Sequence, residues 1–418
     1  MRLTVLLFAL GAAVPGAAQP RVELAHDLDS DRALALVLLV ERFNRESGKA
    51  GSVAVEKGNT ETGTPGARMI LLANDEARDL IAGRRIVPLQ GFVAAQGRKI
   101  DTRRIYPALR DAVADGRGEP RALPMAYTLP VLYFNRDLLA RAGVDTERVP
   151  RTWWKLQEAA GALYDAGVSC PYTSSWPVWV HLENASTQHN EPFMSGAGSA
   201  LRLRFNSLVH VKHLALLSSW FKSKYFRLYG DANEADATFA SGECAMLTSG
   251  SDLYSRLRNR TEFALGVAEL PYYDDVYGGS PTNVVPHGGS LWVMAGGDRA
   301  ERRLAADFIS FLMRPAIQRE WAEASGYLPV TDAAGVTTVA GMDKPPSVFL
   351  ARAISERRSL AELRFQDGAG YARLANILHE ELGTIWANVK PPKEALDAAV
   401  ARGTEALNGG PRREPAKP

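Results

Sequence analysis

Long apolar runs are missing from this 418-residue chain once its N-terminus is passed. The one run present, Leu3 to Val14, falls short of the roughly 20 residues a spanning helix needs, so no membrane span is expected. An excess of either charge is missing too. Lys and Arg number 49 against 47 acidic residues, and a net charge of +2 leaves no broad electrostatic footprint, which disfavours a nucleic-acid partner. The usual catalytic signatures are also absent: no G-x-S-x-G elbow, no H-E-x-x-H helix and no phosphate-cradling G-x-x-x-x-G-K. Cysteine is scarce, with only Cys170 and Cys244. They allow one disulfide, or two buried free thiols, and sequence does not show whether the sulfurs meet.

What is present begins with an export signal. Arg2, the short apolar run and the small residues Gly16, Ala17 and Ala18 have the layout of a secretory signal peptide, residues 1–18, cut after Ala18. No Cys follows the cut, so no lipid attachment site is expected, and a soluble periplasmic protein is. The remaining chain of about 400 residues exceeds the range over which one core keeps growing, which points to two α/β lobes.

Short strands are expected at Val22–Ala25 and Ser52–Glu56, with further apolar segments at Met69–Leu72 and Ile86–Leu89. Between the first two, Ser30 is the expected cap of a helix carrying Leu34, Val37, Leu38 and Phe43 on its apolar face. Such alternation indicates βαβ units, whose ligands sit at the carboxyl ends of the strands. The loops Gly58–Gly66 and Asn74–Glu76 are therefore candidate contact regions. Leu123–Gly143 reads as a crossover into a helix near Asp137, and Thr152 as the cap of a helix bearing Trp154, Leu156, Ala159 and Leu163. Pro315 should divide two helices within Glu301–Ala324, and residues 409–418 form a tail without a packed core.

His210 and His213 stand at helical spacing, but no third metal ligand is near, and a solvated helix face is expected for them. His181 and Glu183 form an isolated acid–base pair of a kind common without catalysis.

The stretches RFNRESG, VEKGN, TLPVLYFNRDLLARAGVD, PRTWWKL, SSWPVWVHLEN, FASGECAML, GGSLWVMAG, ASGYLPVT and EELGTIW occur in this order from about Val22 to Leu407. Together they resemble the sn-glycerol-3-phosphate-binding proteins of bacterial ABC importers, within the wider family of the maltose-binding protein. The resemblance implies an α/β fold of two lobes, each a mostly parallel sheet flanked by helices, joined by hinge crossovers. Residues 19–128 and 282–330 would form lobe 1, and 129–281 and 331–408 lobe 2. It also implies a small polar ligand held between them, an ABC permease as partner, and a monomer without cofactor or metal.

Carried over position by position, the implied ligand contacts are Trp176, Trp179, Ser249, Gly288 and Tyr327, with Thr128 in place of an interlobe serine. Flat aromatic faces suit the C–H surfaces of polyols and sugars, while hydroxyls and backbone amides orient them. Core packing is the competing role for the tryptophans, an ordinary turn for Tyr327, and a tight backbone path for Gly288. Three positions depart from the family: Thr60 replaces a tyrosine, Asn74 a glutamate and Ala375 an arginine. A guanidinium is the preferred bidentate partner of phosphate, so its loss weakens the case for a phosphate monoester, with Arg373 as a possible substitute or simply a surface residue. A glycerol-3-phosphate-like, polyol or saccharide ligand is expected, with a glycerophosphodiester or neutral sugar as the alternative and an exported hydrolase as the competing class.

Overall fold

The computed structural model describes residues 19–58, 68–73, 77, 85–115, 118–147, 150–196, 200–276, 284–331 and 368–408. The expected signal peptide, Thr60, Asn74 and the expected tail lie outside them. In chain order the first strands are β1 (Arg21–His26), β2 (Ser52–Lys57), β3 (Arg68–Ala73), β4 (Leu123–Thr128), β5 (Pro130–Asn135) and β6 (Cys170–Ser174). They are followed by β7 (Met194–Ser195), β8 (Arg202–Leu203), β9 (Phe226–Arg227), β10 (Cys244–Gly250), β11 (Leu265–Glu269) and β12 (His287–Val293).

Two five-stranded sheets result, ordered β2-β1-β3-β12-β4 and β11-β5-β10-β6-β9. Both are mixed. The expected parallel pairing holds for β1 with β2 and β3, and for β6 with β9 and β10. The strands nearest the crossovers run the other way: β12 is antiparallel to β3 and β4, and β5 to β10 and β11. Only Leu129 separates β4 of the first sheet from β5 of the second, so one continuous extended segment joins the lobes. The apolar segment at Ile86–Leu89 is not a strand; Ile86 makes an isolated bridge to Met294, and Leu89 opens the helix Leu89–Ala95.

The helix after β1 spans Ser30–Ser47, and its cap is Asp29, one residue before the expected Ser30, accepting from the Arg32 amide at 3.1 Å. Its buried face differs from the expected one. Ala35, Leu36, Leu39, Val40 and Phe43 face the core, whereas Leu34 and Leu38 are 59% and 52% exposed. Phe43 sets the orientation by packing edge-on against Phe308 (5.0 Å) and Phe311 (5.4 Å) of the helix Arg299–Leu312. That helix carries a reciprocal cap between Asp298 and Glu301, and Pro315 opens the next helix, Pro315–Ser325, at a position where its missing N–H costs nothing.

Thr152 caps the helix Trp153–Asp165 as expected, accepting from the Lys155 amide at 3.2 Å. Trp153 rather than Trp154 heads its buried stripe; Trp154 lies half-buried on Tyr273 with its indole N–H on Asp275. The two cysteines are register partners on β6 and β10, and they form a disulfide.

Candidate functional site

A cavity of about 380 Å³ opens where the carboxyl ends of β1 to β4 face the second lobe. From the first lobe it takes the turn Asp27–Asp29, Arg32, Leu71, Leu72 and the Gly288–Gly289 pair of β12. From the second it takes Trp176, Asn233, Asp236 and Ser249, while Asp252 and Arg256 come from the segment after β10. This is the placement expected of ligands in open α/β sheets.

The floor of the cavity is ionic, with Asp27 and Lys57 also lining it, and both of its arginines are already engaged. The guanidinium of buried Arg32 bonds both Asp29 and Asp252. Arg256 lies 3.8 Å from Asp29 and 3.4 Å from Asp236. The order Asp236, Arg256, Asp29, Arg32, Asp252 alternates in sign and carries one excess negative charge. Burial opposes the charge on Arg32, but Asp252, Tyr327 and Asp29 outweigh it and hold its pKa above the ordinary arginine value. Asp29 faces the same desolvation, yet its contacts with Arg32 keep its pKa below the usual carboxylate range. Asp236 is the exception. Burial pushes its pKa up to about 6, against the hydroxyls of Ser175 and Ser249, which donate to its Oδ1 at 2.7 and 2.8 Å.

Trp176 lines the cavity with a left-handed backbone, φ 54°, a conformation that strains a bulky side chain. Its amide donates to the Ala232 carbonyl at 2.7 Å, and its ring lies 5.3 Å from that of His287. Trp179 packs on the other side, 5.5 Å from His287, but is 4% exposed and does not line the cavity. Its indole donates to the Val285 carbonyl at 2.7 Å, which joins the second lobe to the strand leading into β12. The expected pair of tryptophans therefore divides, Trp176 lining the cavity and Trp179 packed in the interior.

The remaining candidates divide in the same way. Ser249 and Tyr327 line the cavity, Ser249 committed to Asp236 and Tyr327 stacked on Trp321 under the Arg32 guanidinium, 4.9 Å from its ring. Thr128 also lines it, but its hydroxyl accepts from the Asp252 amide and meets the Ser251 hydroxyl, both at 3.1 Å, so it fastens the crossover. Gly288 has φ 155°, and a Cβ there would stand 2.1 Å from the Ala126 carbonyl oxygen, so glycine is needed for close strand approach. Arg373 is not brought to the cavity. Its guanidinium donates to the Ala406 carbonyl at 2.6 Å, capping a helix end, and Ala375 lies half-buried on the same helix, Gly368–Trp386.

A family profile described as bacterial extracellular solute-binding protein matches residues 43–343. The chain belongs to that family. The sn-glycerol-3-phosphate-binding periplasmic protein UgpB of Salmonella typhimurium is 32% identical over 97% of this chain and 97% of its own. The solved GacH receptor of Streptomyces glaucescens superposes with a TM-score of 0.74 at 18% identity, covering 94% of this chain and 100% of that one. UgpB of Mycobacterium tuberculosis, solved in complex with glycerophosphocholine, gives 0.70 at 18% identity with the same coverage. This periplasmic solute-binding protein thus has the two-lobe architecture of maltose-binding-protein relatives.

Sequence reasoning missed the charged floor, His287 and the interior histidines. His210 and His213 are not on a solvated face; both are fully buried, as are His181 and, nearly so, Glu183 and His189. His213 lies 3.0 Å from His181 and 2.9 Å from the Tyr273 hydroxyl, while His181 lies 3.4 Å from the Tyr172 hydroxyl. His210 sits between the hydroxyls of Ser186 (2.5 Å) and Ser207 (2.9 Å). Among the described residues no group of three metal-ligating side chains is placed to hold an ion. The stretch HLENASTQH, residues 181–189, carries no local signal for this interior, because partners such as His213 and Tyr273 lie tens of residues away. The Asp-rich turn HDLDSDR was the one visible hint of the charged floor.

Proposed function

We propose that this protein is the binding component of an ABC importer and captures a hydroxyl-rich ligand of no net charge, a polyol, a saccharide or a zwitterionic glycerophosphodiester, ahead of a free phosphate monoester. One observation carries the reading: both arginines on the cavity floor are held by carboxylates in a chain with an excess negative charge. A dianion entering there meets no unengaged guanidinium among the described residues, Lys57 being the other cation that lines the cavity, and breaking the buried pairing of Arg32 to make one costs several kcal/mol, on the order of 3 to 5. Carboxylates instead accept from ligand hydroxyls, and the Trp176 face covers an apolar C–H surface. The relatives named for sn-glycerol-3-phosphate support a glycerol-derived core.

In this reading Trp176, Tyr327, Asp236, Ser249 and the Gly288 backbone surround the ligand, with Thr60 and Asn74 as further contacts, and the lobes move about Thr128–Val131. The protein binds without turnover. Calorimetric titration with glycerol-3-phosphate, glycerophosphodiesters and neutral sugars is the test. Glycerol-3-phosphate binding well ahead of every other compound would refute the ligand class, and conversion of any of them would refute the binding role.

A further inference from the structure

Among the described residues two stretches of chain cross between the lobes, and each is held to the second lobe at one residue standing just before a proline. In the first crossover that residue is Leu129, before Pro130. Its amide donates to the Ser251 hydroxyl at 3.1 Å, and its carbonyl accepts from the Ser251 amide at 2.7 Å. In the second it is Val285, before Pro286 and β12. Its amide donates to the side-chain oxygen of Asn184 at 2.8 Å, and its carbonyl accepts from the Trp179 indole at 2.7 Å. A residue before proline is confined to extended conformations, so little freedom is left at either point. On the first-lobe side the two chains continue through Thr128 and His287, which are register partners, so both anchors lie at the same end of the first sheet.

The second-lobe backbone is shaped for the second of these anchors. The Asn184 amide bonds the Trp179 carbonyl five residues back, one more than in an α-helix. Residues five apart stand about 140° apart round an α-helix, too far to serve one partner. The wider π-turn narrows that angle, and both side chains reach Val285. Asn184 is fully buried, and its side-chain N–H donates to the Trp179 carbonyl at 2.9 Å, which fixes its oxygen toward Val285. We propose that Trp179 and Asn184 are positioning residues: by anchoring Val285 to the second lobe they confine bending in this crossover to Pro286–Gly288, and so set how β12 presents its cavity-lining residues to Trp176. Those residues are His287, Gly288 and Gly289, and the ring of His287 already lies 5.3 Å from Trp176 and 5.5 Å from Trp179. Loss of either bond to Val285 frees that residue, and the swing of the first lobe is no longer confined. This rests on the lobes moving about their crossovers, but it is tested without ligand, so an error in the ligand class leaves the result readable.

The chain's two cysteines are joined to each other, so surface cysteines introduced at exposed Arg45 and Lys222, one on each lobe, can be spin-labelled selectively. Pulsed dipolar spectroscopy on the ligand-free protein then reads the distribution of interlobe distances. Asn184→Leu, which keeps the volume and removes the acceptor of the Val285 amide, should widen that distribution by several ångström. Trp179→Phe, which removes the indole donor and keeps an aromatic ring, should do the same and serves where Asn184→Leu does not fold. Phe205→Leu is the control for mere loss of stability: Phe205 packs on Phe193 at 4.8 Å in the same lobe, and its variant should keep the parent width at a comparable fall in thermal midpoint. Ser251→Ala, which frees the Leu129 amide in the first crossover, should widen the distribution as well. A folded Asn184 or Trp179 variant that keeps the parent width overturns the proposal, and if Ser251→Ala widens it all the same, the lobes move but Val285 is not an anchor. Equal widening by Phe205→Leu also overturns it, since the effect would then be one of stability alone.

Discussion

Lowering the pH below 6.5 should destabilise the second lobe, because four histidines are sealed in its interior as neutral groups. Burial drives His181 down to about 3 and His210 to about 4, and lowers His213 well below its ordinary value and His189 in the same direction. All folded values lie below the unfolded value of about 6.5, so the stability these groups contribute is complete above pH 6.5 and lost as the pH falls beneath it. At pH 5 His181 and His210 are neutral when folded and protonated when unfolded, a loss of about 2 kcal/mol apiece and about 4 kcal/mol together, to which His213 and His189 add in the same direction. Asp236 works in the opposite sense. Its folded value is raised, so it gains about 1 kcal/mol as the pH falls through 6, leaving a net loss of about 3 kcal/mol before His213 and His189 are counted. That is a large part of the stability of an ordinary domain, about 5 to 15 kcal/mol. Urea titrations at pH 7.5, 6.5, 5.5 and 5.0, with amide exchange followed along the helix Leu208–Lys222, measure it. Replacing His210 with Asn, which can still bond Ser186 and Ser207, should return about 2 kcal/mol of the loss. A stability constant between pH 7 and 5 would refute the argument, since it would mean that water or a carboxylate reaches these rings.

Three further outcomes separate structural from binding roles. Trp176→Ala should weaken ligand binding by about 1 to 3 kcal/mol with little change in unfolding, whereas Trp179→Ala should cost about 3 to 5 kcal/mol of stability; calorimetry and urea unfolding on both variants distinguish the two. Gly288→Ala should destabilise by about 2 kcal/mol or more and lower the thermal midpoint, because the new methyl meets the Ala126 carbonyl across a backbone that cannot retreat. Removing the Cys170–Cys244 link by double alanine substitution frees a 74-residue separation and should cost about 4 kcal/mol by loop entropy, measured as a fall in midpoint that reductant reproduces in the parent protein.

Local chemistry was legible wherever the deciding atoms are close in sequence. Thr152 announces its helix because cap and amide are three residues apart, and Pro315 marks a helix start because its ring fixes one dihedral. The strands β1, β2 and β3 follow from short apolar runs bounded by polar turns. The buried face of the helix Ser30–Ser47 did not, because ALALVLLV is apolar at every position and its period selects no side. Phe308 and Phe311, more than 260 residues on, make the choice. The histidines failed for the same reason. His210 and His213 read as solvated until Tyr273 and Ser186 are seen to satisfy them.

Ligand selectivity shows most clearly what residue inventories leave out. Reading Ala375 as a lost arginine treats phosphate affinity as a matter of which arginines the chain retains. The cavity holds two arginines all the same, and what decides their availability is pairing with Asp29, Asp236 and Asp252. These five residues come from three segments, two of which lie about 200 positions beyond the first, and each alone resembles an ordinary surface charge. A guanidinium already bonded on two sides attracts an incoming anion only to the extent that the net charge of the five-residue cluster is positive, which here it is not. Trp176 and Trp179 make the parallel point for aromatics. They stand three residues apart around one proline, yet Trp176 takes a left-handed backbone that turns its ring to the ligand side while Trp179 closes the core beneath it. Specificity in this cleft is therefore a property of which polar and aromatic groups the fold leaves uncommitted.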